Sequence, residues 1–405
     1  MPRTRDRREA LVARRWIERG YRRNTVWSNL RWVRRLRPYL VRRRTKEETQ
    51  LTMRGVTRAA RAYARDRRVE VRWAVKGARI ALHAWAEGLR QIGVPVPSWH
   101  ALRAPDPAID PLLDEYRAYR KHRRGVADSS LEVESGFVRQ LLVFLRRRRR
   151  ALPALTLSDI DDVVAGLGRG MARKTVAGAC SAIRSFLRFL HASGRVPVDL
   201  SSSVMAPRVD AAECPPRALP WKDVRRILAA IDRHTVPGRR DFAILLLMAT
   251  YGLGAGEVCH LQLADIDWSA STLRVVRRKT GVETLLPLLP PVARAVAAYV
   301  RYGRPRTGGV REVFLRLLAP AGALTSSAIW QVLQKWARAA GVSAPFLGSH
   351  ALRHSHACRQ IDLGVPPKVL SDILGHADPN SVSVYTRVAM RRLRSIALPV
   401  PRVPR

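Results

Sequence analysis

The sequence predicts a mainly α-helical chain with one small β-sheet in its C-terminal part. Long stretches carry apolar residues at helical spacing, and only "TLRVVRRKTGVETLLPL" (272–288) alternates apolar and polar residues on both sides of a Lys-Thr-Gly turn, the mark of a hairpin. Two proline-rich breaks, "PSWHALRAPDPAID" from Pro97 and "VMAPRVDAAECPPRALP" (204–220), divide the 405 residues. That length suits two or three domains, and the spacing of the breaks predicts three: 1–104, 105–210 and 211–405.

The first two segments resemble each other at an offset of about 104 residues. "LTMRGVTRAARAYARD" from Leu51 lines up with "LTLSDIDDVVAGLGRG" from Leu155, and "ARIALHAWAEGLRQIGVPV" with "AIRSFLRFLHASGRVPV", both ending in Val-Pro-Val. Upstream, "RRNTVWSNLRWVRRLRPYLVRRR" and "VADSSLEVESGFVRQLLVFLRRRRR" each predict a helix that starts at a Ser/Thr/Asn-type cap and runs into an arginine block. The expectation is a duplicated helical unit. From Trp221 the texture changes to a helix "WKDVRRILAAID", the apolar run "FAILLLMATYGLGAG" (242–256), the hairpin, and further helices to Met390. The apolar run is shorter than the ~20 residues of a membrane span and reads as a buried core helix ending at glycines.

Charge narrows the function. The chain holds 74 Lys+Arg against 32 Asp+Glu, a formal net charge of +42. So much positive charge along a whole chain repels itself unless a polyanion neutralises it, which points to nucleic acid before a membrane surface. The four cysteines (Cys180, Cys214, Cys259, Cys358) lie far apart with no Cys-x-x-Cys pair, against a zinc ribbon or a disulfide framework and in keeping with a reducing compartment. No apolar stretch follows "MPRTRDRREA", so no secretory signal is expected.

The densest chemistry lies in "HALRHSHACRQ" (350–360). A metal site would use His350 and His354, four apart on one helix face, but no carboxylate stands between them and Arg353 would repel a cation. A solvated basic face must account for Leu352 and Ala357 among the charges. The next segment, "LGVPPKVLSDILGHADPNSVSVYTRV", decides for a phosphate clamp: a short helix ends at Gly375, a natural C-cap, His376 follows at once, and Tyr385 comes nine residues later. A tyrosine among histidines and arginines suits attack of a phenol on a DNA phosphodiester, with arginine donors stabilising the charge on phosphorus.

This arrangement resembles the tyrosine recombinases, the phage-integrase family. The residues that carry the resemblance are His350 and Arg353 (His-x-x-Arg), Leu374-Gly375-His376, Tyr385 at the family's spacing, and Lys279 in the hairpin turn. It covers about 175 to 190 residues of the third segment, and more loosely the preceding helical unit, similar to the family's core-binding domain. The resemblance implies the tyrosine-recombinase catalytic fold behind helical core-binding-type domains, no cofactor and no metal. It implies that Tyr385 forms a 3′-phosphotyrosyl bond that conserves the energy for religation. Arg353 would clamp non-bridging oxygens, His376 would donate to the same phosphate, His350 would assist proton movement at the tyrosine, and Lys279 would protonate the departing 5′ oxygen. His354 and His356 match no catalytic slot. The partners implied are double-stranded DNA and further recombinase subunits, like or unlike, in a tetrameric synapse, with Val388, Leu393 and Ile396 of the tail available to pack on a neighbour. A bacterial-type cytoplasmic, nucleoid-associated location follows.

The pattern breaks in one place. Where the family carries Gly-Leu-Arg-x-x-Glu, this chain reads "YGLGAGEV": Gly254 takes the arginine's place while Gly252, Leu253 and Glu257 keep the frame. Loss of one preorganised donor commonly costs ~10²–10³ in rate. Three readings stay open: an impaired, DNA-binding subunit beside active relatives; another arginine filling the gap, with Arg239, Arg240, Arg277 and Arg278 nearest in sequence; or an arginine from a partner subunit. A topoisomerase that relaxes DNA without exchange would share the nucleophile.

Overall fold

The computed structural model describes residues 4–41, 46–100, 106–209, 217–277, 281–306, 309–348, 350–375 and 382–386. The chain divides into two compact units, one of residues 102–214 and one of residues 1–101 together with 215–405.

Residues 4–91 form helices α1 (Thr4–Glu18), α2 (Arg23–Leu40), α3 (Met53–Asp66) and α4 (Val71–Gln91). Residues 110–192 form α5 (Asp110–Arg124), α6 (Asp128–Arg147), α7 (Leu157–Gly168) and α8 (Arg173–Ala192). A 3-10 turn precedes the third helix in each set, and each helix of the second set begins 102 to 106 residues after its counterpart. The third helices open alike, on Thr52 and Thr156, whose hydroxyls accept from the backbone N–H of Gly55 at 3.0 Å and Asp159 at 3.3 Å. The second helices depart from expectation. They start at Arg23 and Asp128 behind Arg22 and Ala127, with no side-chain cap, so Asn24, Thr25, Ser129 and Ser130 fall inside the first turn. Apolar packing starts these helices without a capping hydroxyl.

Each set has its own core. In the first, Trp16, Trp32, Leu36, Tyr63, Leu82 and Trp85 are buried, and the Trp16 indole donates to the Ala84 carbonyl at 3.3 Å. In the second, Tyr116, Leu141, Ile160, Ile183 and Phe186 fill the centre, with the Tyr116 hydroxyl donating to Glu134 at 3.0 Å. Large aromatic and aliphatic side chains contribute ~1.5–3 kcal/mol each when fully buried.

The C-terminal part runs α9 (Trp221–Ala229), α10 (Val236–Tyr251), α11 (Ala255–His260), β1 (Ile266–Asp267), β2 (Thr272–Val276), β3 (Glu283–Pro287), α12 (Pro290–Tyr302), α13 (Ser326–Ala339), α14 (Ala351–Asp362), α15 (Pro367–Leu374) and α16 (Ser383–Thr386). The strands form one antiparallel sheet in the order β1-β2-β3, with Leu273 opposite Leu286 and Val275 opposite Thr284. Leu273 and Val275 face the core while Arg274 and Val276 point outward, the period of two that the alternation predicts.

Helix α10 is the axis of this part. Its Ile244, Leu245, Leu247 and Met248 are fully buried, as expected of a helix apolar on every side. Buried Asp241 accepts from the Trp336 indole at 2.8 Å and pairs with Arg240 at 2.7 Å. At the other end the Tyr251 hydroxyl donates to the Pro287 carbonyl at 2.7 Å and accepts from the Leu289 N–H at 2.9 Å, tying the helix to the end of β3. Gly252 caps α10 in the left-handed region, and a Cβ there would stand 2.7 Å from Leu374 and 2.8 Å from His356. The segment Gly252-Leu253-Gly254 is therefore pressed against α14 and α15. No described helix is long and apolar enough to cross a membrane.

Candidate active site

Helix α14 begins behind His350 and presents Arg353 to the glycine segment and His354 to α16. Arg353 Nη1 donates to the Gly252 carbonyl at 3.1 Å, and its Nη2 to the Leu374 carbonyl at 2.6 Å. Those acceptors close α10 and α15, so one guanidinium fastens two helix C-termini, where unsatisfied carbonyls and the helix dipole favour a cation. Burial pushes the Arg353 pKa down, as does the neighbouring Arg277 cation, while Glu257 and Tyr385 raise it.

Glu257, in the first turn of α11, is the hub. Its Oε2 accepts from the Gly254 N–H at 2.7 Å, lies 2.7 Å from Arg277 Nη1 and 3.5 Å from Arg353 Nη1. Arg277 follows directly on β2, is only 3% exposed, and donates through Nη2 to the Ile373 carbonyl at 2.5 Å. One carboxylate thus faces two guanidinium groups, leaving an excess of positive charge in a poorly solvated place.

Tyr385, on the short helix α16, is 3% exposed and packs with Ala357, Ile361, Leu370, Leu374 and Val382. Its hydroxyl is 3.0 Å from His354 Nδ1, with the ring centres 5.6 Å apart. Burial drives the phenol pKa up, against the downward pull of the Arg353 cation. At neutral pH the group is a phenol and needs a base to become a nucleophile. His350 is exposed at the start of α14; its ring centre is 6.4 Å from that of His354, and a Cβ at Gly254 would lie 3.8 Å from its Cε1.

Of the residues singled out from the sequence, Arg353, Tyr385 and His350 thus stand around one place, with Gly254 and Glu257 on its far side. Lys279, His376, Arg278 and the tail residues Val388, Leu393 and Ile396 lie outside the described residues. Sequence reasoning passes over His354 as the partner of the tyrosine. The available signal is its four-residue spacing from His350, which by itself suggests only a metal pair. Among the described residues no three His, Cys, Asp or Glu side chains gather so as to hold a metal ion.

Residues 217–392 match the model of the phage integrase family. The tyrosine recombinase XerD of Mycobacterium tuberculosis is 32% identical over 292 residues, spanning 70% of this chain and 87% of that protein. The protein y4rA of Sinorhizobium fredii, named a candidate integrase/recombinase, is 32% identical over 296 residues, 73% of this chain and 72% of its own length. Among solved structures, a lambda integrase dimer bound to a COC′ core site shares the fold with a TM-score of 0.55 at 17% identity, over 76% of this chain and 86% of that one. The chain belongs to the phage integrase family, the tyrosine recombinases.

Proposed function

We propose that this chain is a site-specific DNA recombinase that cuts and rejoins duplex DNA through a phosphotyrosyl intermediate. Tyr385 oxygen attacks the scissile phosphorus, the bond from phosphorus to the 5′ oxygen breaks, and the tyrosine's proton is taken up as the departing oxygen gains one. Religation reverses the step with the 5′ hydroxyl of another strand, so the bond count balances and no nucleotide cofactor is consumed. Arg353 neutralises non-bridging oxygens, His354 holds and deprotonates the phenol, and His350 borders the same space. Lys279 and His376 take the roles of leaving-group acid and phosphate donor. The observation that carries this reading is that the Tyr385 hydroxyl stands 3.0 Å from the imidazole of His354, the residue next to Arg353 on α14, beside a carboxylate that faces two guanidinium groups.

DNA is the partner the surface favours. Helix α3 sets Arg54, Arg58, Arg61 and Arg65 on one exposed face at spacings of four, three and four, and with Arg79 of α4 they line a groove of about 960 Å³. Residues 1–104 thereby act as a DNA-gripping unit ahead of a second helical clamp at 105–210, and the catalytic part works in an assembly of subunits on paired sites.

The test is a covalent adduct. On a nicked suicide duplex the wild-type chain should form a species that survives denaturing electrophoresis, and Tyr385→Phe should form none; an adduct that persists in Tyr385→Phe rules the nucleophile out. One observation favours a second reading, a catalytically impaired DNA-binding subunit: Gly254 offers only its backbone N–H, and Glu257 already takes that. Under it the chain binds the duplex and forms no adduct unless an active relative is added.

A further inference from the structure

We infer that Arg277 supplies the second guanidinium of the phosphate clamp, in place of the arginine absent at Gly254; this rests on the reading of Tyr385 as the nucleophile. The vacancy has a definite location. A Cβ built on Gly254 would meet Glu257 Oε2 at 3.6 Å and His350 Cε1 at 3.8 Å, ordinary contacts, so a side chain there would leave the backbone between those two groups. Arg277 Nη1 reaches the same carboxylate oxygen, at 2.7 Å, from the end of β2. The guanidinium therefore stands beside the gap although its backbone belongs to another element.

Three features suit it to bind an anion rather than only to pack. First, it shares Glu257 with Arg353, so a single negative charge faces two positive ones and a phosphate would restore the balance. Second, its Nε and Nη1 are buried with no hydrogen-bond partner among the described residues, Nη1 being near Glu257 but not aligned to donate to it. Buried guanidinium donors without acceptors are costly, and phosphate oxygens are acceptors of the matching geometry. Third, the group is held in place. Gly375, in the left-handed region at the end of α15, is the seat of the side chain: a Cβ there would lie 2.7 Å from Arg277 Cγ, and the Ile373 carbonyl fixes Nη2 at 2.5 Å. Preorganised donors are the ones that count toward a transition state. The other described arginines near in sequence are engaged elsewhere: Arg240 on Asp241 and the Leu315 carbonyl, Arg239 at Tyr302.

The experiment uses the full chain and a duplex selected from random-sequence DNA by binding to the wild-type protein, nicked beside the cleavage position, with adduct rates read on denaturing gels. Arg277→Ala should lower the rate ~10²–10³-fold, and Gly254→Arg added to it should recover at least about tenfold, since both changes act on the same phosphate. With an uncharged methylphosphonate at the cleavage position the Arg277→Ala deficit should shrink to a few-fold, a result a merely structural role would not produce. If Arg277→Ala melts early, Arg277→Met, which keeps the stem and removes the charge, takes its place. The inference is overturned if either variant cuts within about threefold of wild type while Tyr385→Phe is dead, or if the deficit is the same on phosphate and methylphosphonate; in both cases the nucleophile reading stands. If neither wild type nor Gly254→Arg forms an adduct, the nucleophile reading fails and takes this inference with it.

Discussion

His354 and Tyr385 are 31 residues apart and meet at 3.0 Å, so His354 is placed to act on the phenol directly. A positioned base is worth ~10²–10⁴ in rate. His354→Ala is expected to slow adduct formation by roughly 10²-fold at unchanged affinity for duplex DNA; a single-turnover rate equal to wild type would remove His354 from the reaction. His356, two residues on, has a different task. It is 3% exposed, donates through Nδ1 to the Ala249 carbonyl at 3.0 Å, and burial depresses its pKa below the ordinary 6.5. The unfolded chain binds that proton more readily than the folded one. His356 therefore adds stability that is whole above about pH 6.5 and is lost as the pH falls through that value toward the depressed one. His356→Leu should flatten the fall of Tm between about pH 6.5 and 5, and a melting curve as acid-sensitive as wild type would contradict this.

At the scale of elements, the arginine face of α3 and the opening of α10 make separate predictions. Changing Arg54, Arg58, Arg61 and Arg65 together to Gln should lower the slope of log K against log salt by about 3–4, near 0.9 for each phosphate left without its arginine. Adduct formation at saturating DNA should be unaffected; an unchanged slope would show that α3 does not touch the backbone. The equivalent helix α7 exposes Asp161 and Asp162 instead, so this face is not a general property of the four-helix unit. At Asp241, substitution by Ala removes the carboxylate partner of the part-buried Arg240 and leaves the buried Trp336 indole without its acceptor, and should destabilise the chain by ~3–5 kcal/mol, read from denaturant unfolding. Much at this scale was legible beforehand. Unbroken apolarity from Phe242 marked the axial helix, alternation around Arg274 marked the hairpin, and Gly375 marked the end of α15, because each signal is local and follows the period of the element it forms. The starts of α2 and α6 were misread because a capping side chain is optional when burial drives the helix. The pairings of Glu257 with Arg277, and of His354 with Tyr385, were not legible at all: they join different elements, and no linear spacing encodes which carboxylate or phenol a side chain meets once the chain has folded.

For the molecule as a whole, a formal charge of +42 has two effects of opposite sign. Salt screens repulsion within the free chain and weakens its hold on a polyanion. Raising NaCl from about 50 to 500 mM should therefore raise the Tm of the free protein while steeply lowering its affinity for any duplex; a free-chain Tm that falls over that range would show that screened ion pairs outweigh self-repulsion. On the recombinase reading such a protein clings to DNA of every sequence, and most of those encounters are with the wrong place. The phenol that would cut is 3% exposed, with His354 Nδ1 3.0 Å from its oxygen. On that reading gripping a stretch of genome and breaking it are separate acts, since a phosphate held anywhere but beside Tyr385 and His354 meets no nucleophile.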